Sequence, residues 1–321
     1  MRRWGFWGLM IGALLAGLAF ATLVRNEYYF FAAYVVLQSM IMAIAWNILG
    51  GFTGYVNFGS AGFFAVAAYT TIALNKFLPS IGFQPPLVVF IAASAVVCGL
   101  IGLGTGYLTL RLRGVYFAIA TLALAIVLQT FMNNWDYVGA AKGAYILTPD
   151  PPQFFSSYVK YLFVMMLLLA LMAVAMSRYI ANSKFGRGLA AIRDDELAAE
   201  ASGVPTLKLK LVATTISGAL MGMAGAPFPY YIGYLQPSSA FGLEYAVNSI
   251  AMPMIGGTAF WYGPVVGALL LGTAQEVISV TISSELNVFL VGVVLVGFVI
   301  LAPRGLVGFV KDMRAKGKGR G

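Results

Sequence analysis

Long apolar runs follow one another along nearly the whole chain, and this succession limits the possible folds more than any other feature. Ten runs can be delimited: Phe6 to Val24, Tyr29 to Leu49, Val56 to Leu74, Leu87 to Leu110, Val115 to Phe131, Tyr158 to Met176, Leu211 to Ile232, Ala246 to Ile255, Pro264 to Ile282 and Val288 to Ala302. A helix needs about 20 apolar residues to cross a bilayer, so the run Ala246 to Ile255 is too short to cross alone. The pattern predicts an all-α polytopic integral membrane protein with about eight to ten transmembrane helices, some of them broken or re-entrant.

Composition excludes a water-soluble core. Hydrophobic residues make up 60% of the 321 residues and charged residues only 10%, whereas soluble domains contain about 25% charged residues. We therefore expect one membrane domain over residues 1–321. Histidine is absent and Cys98 is the only cysteine, so the sequence predicts neither a disulfide nor a Cys/His metal site. Cys98 lies within an apolar run, as expected for a small packing residue.

The positive charges are divided unevenly between the two sides of the membrane. With a cytoplasmic N-terminus, only Arg25, Lys76, Lys142 and Lys160 of the 20 Lys and Arg residues fall outside. This asymmetry is that of the positive-inside rule, and it predicts that both chain termini are cytoplasmic. The first run has a basic start like that of a secretory signal, but its length favours a retained span. The basic tail 303–321 is better explained as a topology anchor beside anionic lipid than as a nucleic-acid-binding arm.

Two loops are longer than a helical hairpin requires. The external loop 133–157 contains Trp135 and the turn cluster Pro149-Asp150-Pro151-Pro152, and it is predicted to form a lid or a docking surface. The inner loop 177–210 is the most polar stretch of the chain. Ser183 and Asp194 are suitable N-caps for two short helices in this loop, and Gly203 suits the left-handed position after the second helix.

The two short helices combine small apolar surfaces with charged residues. Such a pattern is typical of a helix that docks in a partner's groove. The alternative for this segment alone is a solvated loop stabilised by charge pairs four residues apart.

Several segments together resemble the LivM-type permease subunits of branched-chain amino acid ABC importers. They are RLRGVYFAIATLALA (Arg111 to Ala125), FGRGLAAIRDDELAAEASGV (Phe185 to Val204), LGGFTGYVNFGSAGFFAVAAY (Leu49 to Tyr69), ISGALMGMAGA (Ile216 to Ala226), IGGTAFWYGPVVGALLL (Ile255 to Leu271) and APRGLVG (Ala302 to Gly308). The resemblance implies a bacterial inner-membrane importer in which this chain pairs with a LivH-like permease subunit. It also implies two cytoplasmic ABC ATPase subunits and a periplasmic substrate-binding protein.

The second of these segments is similar to the loop with which such permeases enter their ATPase. The resemblance implies ATPase-docking roles for Phe185, Gly186, Arg187, Ala190, Ile192, Arg193, Glu196, Ala199, Glu200 and Gly203.

Glycines punctuate two apolar segments, at positions 50, 51, 54, 59 and 62 and at positions 256, 257, 263 and 267. A glycine in a helix costs about 1 kcal/mol relative to alanine, and broken helices expose amide and carbonyl groups that bind solutes in transporters. Such dipoles suit a zwitterionic amino acid. The predicted substrate path comprises Thr53, Gly54, Asn57, Gly59, Thr121, Gly256, Gly257 and Glu276, the last being the one acid well inside a predicted span. The alternative is that the glycines only permit close helix packing.

Two positions depart from the LivM pattern. Ile126 stands where related chains usually have a glutamate, and Val138 to Ile146 (VGAAKGAYI) replaces a Gly-rich element. These departures leave urea or another small amide open as an alternative substrate. Trp261-Tyr262 is explained either as a gate or as part of the interfacial aromatic belt.

The residue inventory separates three classes of function. The chain lacks a Walker sequence, so we expect no cofactor in this chain, with ATP hydrolysed by partner subunits. A gradient-driven secondary transporter should contain several buried acids or histidines, whereas only Glu276 qualifies here. An intramembrane enzyme would need a paired nucleophile and base, which this sequence does not offer. No catalytic residue is therefore predicted.

Overall fold

The polypeptide is almost entirely helical in the computed structural model, which describes residues 3–80, 82, 85–281, 305–309 and positions 289, 292, 293, 296, 297 and 313. Its α-helices are α1 (Arg3–Leu23), α2 (Tyr28–Thr53), α3 (Ser60–Ser80), α4 (Leu87–Thr109), α5 (Val115–Asn133), α6 (Tyr158–Asn182), α7 (Lys184–Asp194), α8 (Glu196–Ala201), α9 (Thr206–Gly225), α10 (Phe228–Ile232), α11 (Pro237–Ala240), α12 (Leu243–Gly256) and α13 (Gly263–Thr281). Two 3-10 turns (Asp136–Val138 and Ala140–Lys142) lead into the short strand β1 (Ala144–Tyr145), which pairs antiparallel with β2 (Tyr234–Leu235).

Seven helical stretches in the described part of the chain are long and apolar enough to cross a membrane. They are α1 to α6 and the continuous stretch formed by α9 and α10; α13 is apolar but shorter. This confirms the predicted all-α polytopic class. Most of the predicted run Val288 to Ala302 and most of the basic tail 303–321 lie outside the described residues.

The helices differ greatly in how much of their surface the protein covers. α2 is the most buried of the long helices, followed by α9 and α3, whereas α1 and α5 are largely exposed. Exposed apolar surface is normal for a helix in lipid. The core of the bundle therefore lies around α2, α3 and α9, with α1 and α5 at the periphery.

Helices α4 and α9 pack through small residues. A Cβ on Gly218 would lie 2.6 Å from the carbonyl oxygen of Cys98, and a Cβ on Gly222 would lie 2.6 Å from that of Ser94. Such close backbone approach is the usual way in which membrane helices associate. Cys98 is fully buried there, with its Sγ 3.2 Å from the carbonyl oxygen of Phe63, which confirms its packing role.

The bundle has two distinct ends. Helices α7 and α8 lie at one end, here called the loop end, and α9 starts there. The β1–β2 pair lies at the other, here called the strand end, and joins the loop after α5 to the segment after α10.

Candidate functional site

Residues 54–59, here called the break, separate α2 from α3. Gly54 ends α2 in the left-handed region at φ +78°, with its N–H donating to the carbonyl of Gly50. The chain then returns beside α2, because the indole N–H of Trp46 donates to the carbonyl of Asn57 over 2.8 Å. Trp46 lies seven residues before the end of α2, or about 10 Å along the helix axis. The sequence placed the start of this span at Val56, but α3 begins only at Ser60 since the break occupies these residues.

Side chains satisfy the free backbone groups of the break. The Phe58 N–H donates to the Thr121 hydroxyl over 3.2 Å, and the Gly59 N–H donates to Oδ1 of Asn57 over 2.8 Å. The Tyr55 N–H is 3.3 Å from the hydroxyl of Thr53. Five predicted path residues, Thr53, Gly54, Asn57, Gly59 and Thr121, are thus brought together.

A small cavity of about 10 Å³ adjoins the break. Asn57, Gly59 and Thr121 line it, together with Thr105, Thr109 and Thr214 from α4 and α9. This volume barely holds one water molecule, so the cavity is too small for a larger solute in this conformation. The sequence interpretation missed these three threonines, although Thr105 and Thr109 are four residues apart and therefore share a helix face.

The second glycine-rich segment, between α12 and α13, has a different construction. A Cβ on Gly256 would lie 1.8 Å from the carbonyl oxygen of Gly263, and one on Gly267 would lie 1.8 Å from that of Met252. The two helices therefore touch backbone to backbone, while Gly257 turns the chain at φ +115°. This geometry favours the close-packing explanation for these glycines.

Glu276 lies apart from both glycine-rich segments. It is half-buried and stands thirteen residues into α13, about 20 Å from the start of that helix. The structure therefore does not bring Glu276 together with the other predicted path residues.

Helices α7 and α8 form the hairpin expected in the inner loop. Ser183 caps α7, its hydroxyl accepting from the Gly186 N–H over 3.1 Å, and Gly203 is left-handed at φ +84°, which confirms both predictions. The cap of α8 is Asp195, whose carboxylate accepts from the Ala198 N–H. The prediction of Asp194 was wrong by one residue because α7 continues through Asp194.

The predicted docking residues divide into three groups by exposure. Gly186, Ile192 and Ala199 are buried, Phe185, Ala190 and Glu196 are partly buried, and Arg187, Arg193, Glu200 and Gly203 are exposed. The buried members attach the hairpin to the bundle. Only the exposed members present a surface that a partner can contact.

Three side chains, Tyr55, Glu196 and Lys210, join the hairpin to the break and are here called the polar link. Lys210 Nζ lies 2.6 Å from Oε1 of Glu196, and the Tyr55 hydroxyl donates to Oε2 of Glu196 over 2.5 Å. Lys210 also donates to the Tyr55 hydroxyl (3.0 Å) and to the carbonyl of Leu110 at the end of α4 (3.3 Å). One ion pair therefore contacts α8, α9, the break and the end of α4.

The environment of Glu196 keeps this carboxyl ionised. Burial by itself would raise its pKa, but hydrogen bonds from Lys210 and Tyr55 and the charges of Lys210 and Arg113 outweigh burial and hold the pKa below its ordinary value. Lys210 is almost fully buried, its side chain being 3% exposed. A buried charge is costly without its partner, so the two residues depend on one another.

Glu200 makes a second attachment of the hairpin. Its carboxylate accepts from the Thr206 hydroxyl over 2.6 Å, and it lies 3.8 Å from the Arg113 guanidinium. The Arg113 contact is half exposed and weak. Sequence reasoning assigned Glu196 and Glu200 to docking and missed Tyr55 and Lys210.

Comparisons with known proteins agree on one family. The model of the "Branched-chain amino acid transport system / permease component" family matches residues 28–299. The high-affinity branched-chain amino acid transport system permease protein LivM of Salmonella typhimurium is 29% identical over 313 residues, covering 87% of this chain and 71% of that protein. The Escherichia coli protein of the same name is 29% identical over 84% of this chain and 67% of its own length.

A more distant relative has a different described cargo. The autoinducer 2 import system permease protein LsrC of Yersinia enterocolitica is 25% identical over 67% of this chain and 61% of its own length. No solved structure matches. The helical bundle, the glycine-broken spans and the family match over residues 28–299 lead to one conclusion: this chain belongs to the family of permease components of branched-chain amino acid transport systems.

Proposed function

We propose that this chain is half of the transmembrane pore of an ATP-driven importer for branched-chain or other hydrophobic amino acids, in a bacterial inner membrane with both chain termini cytoplasmic. Its partners are a LivH-like permease subunit, two cytoplasmic ABC ATPase subunits and a periplasmic substrate-binding protein. ATP is hydrolysed by those partners, since this chain carries no Walker sequence. The LivM relatives support the substrate class.

The observation that carries the proposal is the polar link. Glu196 belongs to the hairpin that presents charged residues outward, while Tyr55 belongs to the break that lines the closed cavity. When an ATPase moves the hairpin, the Glu196–Tyr55 and Glu196–Lys210 contacts pull on the break and on the end of α4. This is a route for alternating access, in which rigid elements tilt around a central path.

The break is also suited to the proposed cargo. Its amides, carbonyls, threonine hydroxyls and the Asn57 amide are uncharged, so they can hold a zwitterion without trapping it. Urea or another short amide is the second candidate, favoured by Ile126 at the position where LivM-like chains usually have a glutamate.

Reconstitution tests the energy source and the cargo together. The chain is assembled with its partner permease, ATPases and binding protein in proteoliposomes, and uptake of labelled leucine is measured with unlabelled isoleucine or urea as competitor. We expect uptake that requires ATP and is suppressed by isoleucine. Uptake by this chain alone under a proton gradient would contradict the proposal. Suppression of leucine uptake by urea would favour short amides over hydrophobic amino acids as the substrate class.

A double variant tests the docking surface. Glu200→Ala with Gly203→Val removes an exposed carboxylate and the left-handed turn, so ATP hydrolysis should continue while leucine uptake falls at least tenfold. The matched control is Glu244→Gln with Gly104→Ala, which changes an exposed acid at the strand end and a glycine with nothing within 4 Å of its Cβ position. Equal coupling in both double variants would remove the docking assignment.

A further inference from the structure

A groove of about 900 Å³ runs between α1, α2, α6 and α13, away from the break. Its walls are apolar side chains such as Leu9 and Met10 of α1, Leu37 of α2, Leu171 of α6 and Leu269 of α13. α1 covers the groove loosely, because almost all of its surface is exposed. Within the described residues, the groove is therefore an apolar channel open to the surroundings.

The apolar part of the groove, beyond Arg178, has the length of a lipid acyl chain in one leaflet. The lining along α6 extends from Leu167 to Asn182, and its part from Leu167 to Arg178 corresponds to about 16 Å at 1.5 Å per residue. Half of the hydrocarbon core of a bilayer is about 15 Å thick. Measured from Arg178, the apolar part of the groove is thus about as long as one leaflet is thick.

A guanidinium with one buried nitrogen that is unpaired among the described residues stands at the mouth of the groove. The Arg178 guanidinium is held over the ring of Phe6, 3.9 Å from its centroid, and 5.6 Å from that of Trp261. Its Nη1 is buried and has no hydrogen-bond partner among the described residues. A buried donor of this kind is satisfied by an acceptor from outside the chain, either water or a ligand.

The surroundings of Arg178 are positively charged. A second hollow of about 580 Å³ shares Phe6, Arg178 and Asn182 with the groove and adds Lys184. Neither hollow contains an Asp or Glu in its described lining. Ser177 donates to the carbonyl of Trp261, which holds the backbone of Trp261 beside α6.

We propose that this groove binds one anionic phospholipid, with its phosphate on Arg178 beside Lys184 and its acyl chains between α1 and α6. Basic pockets between membrane helices are known to hold anionic headgroups, and an arginine near a helix end reaches the headgroup level. The site lies outside the break and the polar link, so the proposal is independent of the transport function.

Lipid titration of the purified full chain tests the site. Native mass spectrometry is recorded with phosphatidylglycerol, phosphatidylcholine or inorganic phosphate added at increasing concentration. We expect one phosphatidylglycerol molecule to be retained, and Arg178→Gln to weaken its binding at least tenfold. Arg25→Gln, which removes an exposed cation at the other end of α1, should bind as the unaltered chain does.

A second variant addresses the acyl chains. Ala13 lines the groove from α1 and is exposed, so Ala13→Trp fills the channel without disturbing the buried core and should displace the lipid. Equal retention of phosphatidylcholine, competition by inorganic phosphate alone, or unchanged binding in both Arg178→Gln and Ala13→Trp would overturn the proposal. Crosslinking of Ala13 to a protein helix instead of lipid in the assembled importer would do the same.

Discussion

The break and the α12–α13 turn have the same sequence signature but different physical roles. Both are glycine-rich interruptions of apolar segments. In the break, Thr53 of α2, Thr121 of α5 and Asn57 of the break itself hydrogen-bond the free backbone groups, and a cavity lies alongside. In the α12–α13 turn, glycines let two helix backbones meet at distances that no Cβ allows. Glycine spacing alone does not distinguish a solute path from a packing seam, whereas polar neighbours do.

The largest effect is expected when the polar link between the break and the hairpin is disrupted. Glu196→Gln leaves the Lys210 charge buried without a counter-ion, which should cost about 3–5 kcal/mol and abolish coupled leucine uptake. The free energy of unfolding and ATP-driven uptake are the measurements. Glu244→Gln, which changes an exposed acid at the strand end, is the control and should change neither.

Removing both charges of the link separates stability from coupling. In Glu196→Gln with Lys210→Met no charge is left unpaired, so most of the stability should return while uptake stays low. Uptake restored to the original rate would mean that the link only stabilises the fold.

The α12–α13 turn is examined by adding a single methyl group. Gly256→Ala places a Cβ against the Gly263 carbonyl and should lower the free energy of unfolding by about 1–3 kcal/mol. Gly104→Ala, in open space on α4, should leave stability unchanged or slightly raised. If the two variants unfold alike, the packing explanation for Gly256 is wrong.

A smaller change, at Thr121, tests the role of the polar side chains around the break. Thr121→Val keeps the shape but leaves the Phe58 N–H without its acceptor, at a cost of about 1 kcal/mol, and leucine uptake should fall several-fold. Thr130→Val removes an exposed hydroxyl on the same helix, which donates to the carbonyl of Ile126. A matching loss of uptake in that control would show that any α5 hydroxyl has the same effect.

The smallest expected effect is that of pH. Because the pKa of Glu196 is lowered in the folded chain, its stabilising contribution is complete above the unfolded pKa of about 4.3 and is lost only as pH falls through the lower folded value. The unfolding temperature of the unaltered chain minus that of the Glu196→Gln variant should therefore be constant from pH 8 to pH 5.5. A difference that shrinks by pH 6 would contradict the ionised link.

Local signals in the sequence were sufficient for the spans and the hairpin. Ser183 and Gly203 act on backbone groups within three residues, so their roles could be predicted from residue type. The start of α3 at Ser60 was missed because Val56 and Phe58 are apolar, although the break holds them in a non-helical conformation.

Contacts between distant segments could not be predicted. Tyr55 meets Glu196 across 141 residues, and nothing in the local pattern around Lys210 distinguishes it from the neighbouring Lys208 except that one is buried and the other exposed. The close approach of Gly256 to Gly263 likewise depends on how α12 folds back on α13.

The β1–β2 pair has a consequence for the order in which the protein is made. Tyr145 pairs with Tyr234, so this clasp closes only after the ribosome has delivered α9 and α10 to the membrane. Until then, α5 and α6 can already pack against α3 and α2, but the loop after α5 lacks its strand partner. Nascent chains arrested before Tyr234 should therefore expose the 133–157 loop to protease, and longer ones should protect it.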